Sequence, residues 1–105
     1  MPTKDIAGVT VEVNEEGYLT DPTQWTQAVG EAIAVEEGIS LMTEEHWKLV
    51  HFLQKDYAEN GVMPTIRRVK STGGIPVKEL YALYPGGPLK KSSKIAGLPK
   101  PASCI

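Results

Sequence analysis

The 105-residue chain contains one cysteine, Cys104, so an internal disulfide is excluded and stability must come from packing. In a reducing compartment a lone cysteine is a free thiol or a transient persulfide. No run of 18 apolar residues is present to cross a membrane, and Met1-Pro2-Thr3-Lys4-Asp5 lacks the apolar centre of a signal peptide. The expected location is therefore the cytoplasm, with no membrane partner. A phosphate loop is also missing, because Gly73-Gly74 and Gly86-Gly87 have neither the spaced glycines nor the following Lys-Ser/Thr that cradle a nucleotide. The two histidines, His46 and His51, stand five apart on one predicted helix, a spacing that does not share a face, which argues against a metal site. Cap-region or surface roles suit them better, and no metal or cofactor is expected. Ser92 and Ser93 have no histidine near them in sequence and read as ordinary helix-face residues. Internal repeats and low-complexity segments are absent.

What is present is ordinary for one globular domain: 41% hydrophobic and 23% charged residues, at a length that buries roughly 60 to 70% of the unfolded surface. Charge is unevenly spread. Residues 1–61 carry twelve acids and three bases, whereas residues 62–105 carry one acid, Glu79, and eight bases. Arg67, Arg68, Lys70, Lys78, Lys90, Lys91, Lys94 and Lys100 suit an acidic partner or nucleic acid, and equally a solvated surface.

Val9 to Val13 alternates apolar and polar, and Asn14-Glu15-Glu16-Gly17 supplies a turn before Tyr18-Leu19-Thr20, which predicts an N-terminal hairpin. Asp21-Pro22-Thr23-Gln24 predicts a helix start, with Trp25, Val29, Ala32 and Ile33 on one face and Gly38 as the stop. The longest helix is expected from Thr43 to Asn60, capped by Thr43, with Trp47, Val50, Leu53 and Tyr57 as its apolar stripe. A short basic helix then begins near Pro64, another opens at Pro76, and the last spans Leu89 to Ala96. The fold class is thus mostly α, a small orthogonal bundle of about five helices, helix-turn-helix-like, with an N-terminal β-hairpin.

Beyond residue 96 the pattern changes. Gly97-Leu98-Pro99-Lys100-Pro101-Ala102-Ser103-Cys104-Ile105 cannot be helical, because each proline lacks an N–H and pushes its predecessor into extended backbone. Gly97 suits a left-handed helix stop, and the nine residues reach about 30 Å when extended. The expected organisation is a body over residues 1–96 and an extended C-terminal arm over 97–105. Cys104 is the candidate catalytic residue, since a cysteine after Pro-Lys-Pro and one position from the end is poorly placed to join a core. Its thiolate is the nucleophile, and free cysteine ionises near pH 8.5. The α-carboxylate of Ile105 disfavours that thiolate, so Arg67, Arg68, Lys94 and Lys100 are the candidates to offset it or to contact a partner.

Lys94-Ile95-Ala96-Gly97-Leu98-Pro99-Lys100-Pro101, followed after two residues by Cys104-Ile105, resembles the C-terminal signature of the DsrC/TusE family. Glu16-Gly17-Tyr18-Leu19, Trp25, Glu44-Glu45-His46-Trp47 and Leu83-Tyr84-Pro85-Gly86-Gly87-Pro88 extend the likeness over nearly the whole chain. The resemblance implies a sulfur-relay carrier that takes sulfane sulfur as a persulfide on Cys104 and hands it to an acceptor enzyme. It implies donors similar to the TusBCD or DsrEFH relay proteins, and as acceptor either a tRNA wobble-uridine thiolase or dissimilatory sulfite reductase. Members working with sulfite reductase carry a second cysteine eleven residues earlier; that position is Ser93 here, which cannot form a disulfide. The single-cysteine pattern is similar to the TusE branch. Two other readings compete: a DsrC-like partner of sulfite reduction or sulfur oxidation lacking the second thiol, and a nucleic-acid-binding regulator built on the predicted long helix, turn and Arg67-Arg68-Lys70 helix.

Overall fold

The computed structural model describes residues 3–100. Strands β1 (Thr3–Ile6) and β2 (Val9–Glu12) form an antiparallel pair with Ile6 opposite Val9 and Thr3 opposite Glu12. Helices α1 (Gln27–Glu36), α2 (Glu44–Asn60), α3 (Ile66–Ser71), α4 (Val77–Leu83) and α5 (Pro88–Ile95) come next in the chain. The five helices and the hairpin match the expected fold class. Helix α5 packs against α1, α2 and α4, and β1 packs on α1, so the last helix lies at the centre of the assembly. Its Leu89 and Ile95 are fully buried together with Val29 of α1, Leu49, Val50 and Leu53 of α2, and Leu80 of α4.

The hairpin turns earlier than the sequence pattern suggests. Ala7 and Gly8 both take positive φ, +52° and +79°, the backbone of a two-residue turn whose twist matches that of paired strands. The expected turn at residues 14–17 persists as a smaller loop, closed by one bridge between Val13 and Leu19. There the Asn14 side-chain oxygen accepts from the N–H groups of Glu16 and Tyr18, at 2.9 and 3.0 Å.

The first helix also starts later than Asp21-Pro22 implies. Asp21 caps only a 3₁₀ turn, Pro22–Gln24, its carboxylate accepting from the Thr23 N–H at 3.0 Å. Gln24, part of the expected helix start, instead accepts the Glu12 N–H of β2 at 2.8 Å. A tertiary partner has outcompeted the local one. The chain then runs extended through Trp25, and Thr26 caps α1 by accepting the Val29 N–H.

Helix α2 begins where Thr43 predicts, but its cap has an unexpected partner. The Thr43 hydroxyl accepts the His46 N–H while the His46 Nδ1 accepts the Thr43 N–H at 3.0 Å, so a histidine fills the role usually taken by Glu or Gln. With Nδ1 accepting, the proton resides on Nε2, which donates to the Leu83 carbonyl at 2.9 Å. Tyr84 closes the set by donating its hydroxyl to the His46 carbonyl at 2.9 Å, and burial pushes its phenol up from the usual tyrosine range. Thus the start of α2 is tied to the end of α4. His46 points inward, and His51 lies exposed, stacked on Trp47 at 6.1 Å between ring centroids. Thr43→Ala is expected to lower the unfolding free energy by about 1 kcal/mol, read as a lower urea midpoint at unchanged slope.

Candidate functional site

The arm leaves the body at the C-terminus of α5, and the sequence there ends the helix in a definite way. Gly97 has φ +72°, and its N–H donates to the Lys94 carbonyl at 3.2 Å while the Leu98 N–H donates to the Ser93 carbonyl at 3.0 Å. This is a Schellman ending, which requires a residue tolerant of left-handed backbone at the position Gly97 occupies. The expected glycine stop is present. A helix end leaves its last carbonyls without donors from its own backbone. Here two side chains supply the remainder: the Trp25 Nε1–H donates to the Ile95 carbonyl at 2.7 Å, and the Gln54 Nε2–H to the Ala96 carbonyl at 2.9 Å.

Trp25 is in close contact with this turn. A Cβ added to Gly97 would lie 2.5 Å from the indole Cδ1, and one added to Gly30 would lie 3.2 Å from the indole ring and 3.0 Å from the Ile95 carbonyl. Glycine is required at Gly97 by proximity and by backbone angle, whereas a methyl at Gly30 would fit only if its neighbours gave by a few tenths of an ångström. Beside the turn lies a groove of about 520 Å³ lined by Trp25, Tyr57, Leu98 and Pro99, among others. Burial extends through Leu98, whereas Pro99 and Lys100 are exposed.

Of the candidate bases, Lys94 and Lys100 stand at this corner. Lys94 lies over the Tyr18 ring, 5.5 Å from its centroid, with Glu37 at 3.8 Å, and Lys100 pairs with Glu16 at 3.0 Å. Tyr18 itself is buried and donates to the Lys90 carbonyl at 3.2 Å; burial first, then the Glu16 charge, raises its phenol above the usual value. Lys91 donates to the Glu37 carbonyl at the C-terminal end of α1, a favourable place for a cation. Much of the basic surplus of the second half is therefore spent on the acidic first half of the same chain. Arg68 is engaged elsewhere: its guanidinium makes a forked contact with Asp56 of α2, at 2.7 to 3.0 Å, and Arg67 is exposed on α3. Cys104 lies outside the described residues.

Ser92 and Ser93 depart from the expected helix face. Both are fully buried, and each hydroxyl donates to a carbonyl four residues back, Ser92 to Pro88 and Ser93 to Leu89. They occupy the core stripe because Leu89, Ser92, Ser93 and Ala96 recur at helical spacing, and back-bonding to the helix satisfies what burial would otherwise leave unpaired.

Nearly the whole chain, arm included, matches a known family: residues 5–105 fit the profile described as DsrC like protein. The chain belongs to the DsrC-like family. Among its relatives, the sulfite reductase dissimilatory-type subunit gamma of Nitratidesulfovibrio vulgaris is 40% identical over 98 residues, covering 93% of each chain. The sulfurtransferase TusE of Salmonella typhimurium is 44% identical over 105 residues, covering 93% of this chain and 95% of the relative. The crystal structure of dissimilatory sulfite reductase I (DsrI) superposes with a TM-score of 0.89 at 36% identity, over 99% of this chain and all of that one. The DsrC-like fold is thus shared across the described body of the chain, and the relatives include proteins named for two different sulfur systems. Among the described residues of this family member, no helix is long and apolar enough to cross a membrane, and no group of three metal-ligating acids, histidines or cysteines occurs.

Proposed function

We propose that this DsrC-like chain is a sulfur-relay carrier with a single working thiol, Cys104. The observation that carries the reading is the placement of the only cysteine next to the C-terminus, beyond a helix end that is fully capped, in a chain 44% identical to a sulfurtransferase. In the loading step the Cys104 thiolate attacks the outer sulfur of a donor persulfide, R–S–SH. The donor S–S bond breaks, R–S⁻ leaves, and Cys104–S–SH forms with no net change in oxidation state. Delivery repeats the exchange: a thiolate of the acceptor enzyme attacks the outer sulfur of Cys104–S–SH, the S–S bond breaks and the Cys104 thiolate leaves.

In this reading residues 1–96 form the docking body and 97–105 the arm, and the protein works in the cytoplasm, where a reducing pool keeps a lone thiol available. Lys100, although paired with Glu16, is the base nearest to Cys104 in sequence and a candidate to offset the terminal carboxylate, while Arg67, exposed on α3, is the candidate arginine for a partner surface because Arg68 is engaged by Asp56. Lys94 and Arg68, with carboxylates beside them, hold the body together. Serine at position 93 favours the one-thiol branch, whose acceptor is a tRNA wobble-uridine thiolase, over the two-thiol cycle with sulfite reductase. Donors are then relay proteins of the TusBCD or DsrEFH type.

The test is intact mass spectrometry of the reduced protein after exposure to a cysteine desulfurase and cysteine, followed by an alkylation map. A gain of about 32 Da per sulfur, located on Cys104, is expected. No gain under conditions that load a known carrier would count against direct loading from that donor.

A further inference from the structure

Gly97 looks from sequence like the natural hinge of the arm, yet the structure surrounds it with constraints. All four terminal carbonyls of α5 have donors: Leu98 N–H to Ser93, Gly97 N–H to Lys94, the indole N–H of Trp25 to Ile95, and the side-chain amide of Gln54 to Ala96. A helix end left to water frays; this one is held by groups from three places in the chain. Gly97 and Leu98 are buried, and the indole leaves no room for a side chain on Gly97. Pro99, by contrast, is exposed, and its ring fixes its own φ and restricts the residue before it.

We infer that the arm pivots beyond Leu98 rather than at Gly97, and that Trp25, assisted by Gln54, is the positioning residue that sets where the arm starts and which way it leaves. The inference rests on the carrier reading for its purpose but not for its geometry. It shortens the working reach. Six residues from Pro99 to Cys104 span about 20 Å when extended, against about 27 Å for the eight residues from Gly97 to Cys104. A partner must therefore bring its sulfur site within that distance of the Trp25 corner, and the ordered root reduces the chain entropy that docking must remove.

The experiment uses backbone ¹⁵N relaxation on the full chain, which reads the root directly. Gly97 and Leu98 are expected to show order parameters of about 0.85, like those of α2, in the unmodified protein. In Trp25→Phe/Gln54→Met, which keeps apolar bulk and removes both side-chain donors, they are expected to drop below about 0.6 while the α2 amides stay unchanged. Gly97→Ala, which forces a methyl against the indole, gives the same loosening by a second route should the double variant fail to fold. Iodoacetamide, which needs no docking, is expected to alkylate Cys104 at the unmodified rate in these variants. Loading of Cys104 from a persulfidated cysteine desulfurase is expected to fall about tenfold, the cost of re-ordering a freed backbone residue on docking. Low order parameters at 97 and 98 in the unmodified protein would overturn the pivot assignment. A loosened root with undiminished loading would overturn the positioning role of Trp25. Failure of the unmodified chain to load at all would instead count against the carrier reading and leave the relaxation result standing on its own.

Discussion

A Cys104→Ser variant incubated with a cysteine desulfurase and cysteine gains no sulfur mass, while the parent chain gains about 32 Da per turnover-loaded sulfur. The loss is complete rather than graded, because a serine hydroxyl is not ionised at neutral pH and does not form a persulfide. The chain has no second thiol to take over. Position 93, where the resemblance places a second cysteine in two-thiol relatives, offers no substitute: Ser93 is fully buried and donates to the Leu89 carbonyl. Adding Ser93→Cys to the Cys104→Ser background is accordingly expected to leave the protein unloaded, since a donor's persulfide has no path to a side chain inside α5. Sulfur retained by Cys104→Ser, mapped to any other residue, would sink the carrier proposal outright. Circular dichroism of each variant, matching the parent, separates loss of chemistry from loss of fold.

The range of each interaction decided how much of the fold and the site was legible in the sequence. Features set within about four residues were readable: the Thr43 cap of α2 and its end at Asn60, the Gly97 stop, and the proline-broken tail beyond α5. Those set by partners far along the chain were not. Gln24 abandons its own turn for Glu12, Trp25 serves a helix end seventy residues away, and His46 is locked by Leu83 and Tyr84. Periodicity did contain one overlooked signal. Ser92 and Ser93 fall on the same stripe as Leu89 and Ala96, but their polarity masked an inward face that backbone acceptors make tolerable. The charge asymmetry was likewise visible and only partly interpretable, because composition cannot say whether Lys94 and Lys100 face a partner or the acids of their own chain. Family resemblance reached further than pattern alone, since the tail signature pointed to Cys104 where physical reasoning could offer only exposure and position.

The pairing of Asp56 with Arg68 shows the same long-range character and carries the largest expected effect on stability. The Asp56 side chain is 5% exposed and the Arg68 side chain 44% exposed, so the two partners are not equivalent. Removing Asp56 leaves an arginine that water can take up. Removing Arg68 leaves a carboxylate inside the α2–α3 contact with only the Asn60 amide, at 3.0 Å, still donating to it. Arg68→Ala is therefore expected to lower the melting temperature by roughly 10 °C, and Asp56→Asn by markedly less. Acid dependence separates this from a simple packing loss. In the intact protein the Arg68 hydrogen bonds hold the Asp56 carboxyl below its ordinary value of 3.8. A carboxyl depressed in the folded state adds stability that is full above that ordinary value and is lost as pH falls through the lower, folded-state value. Without Arg68, burial outweighs the one lowering influence left, the Asn60 hydrogen bond, and raises the carboxyl instead, so the sign of the contribution reverses. Scanning melting temperature from pH 7 to pH 3 should then show the parent losing the Asp56 contribution only below about pH 4, while Arg68→Ala recovers part of its deficit as the stranded carboxyl takes up a proton. Parallel acid profiles for the two proteins would mean that the guanidinium holds α3 by its bulk and not by its charge.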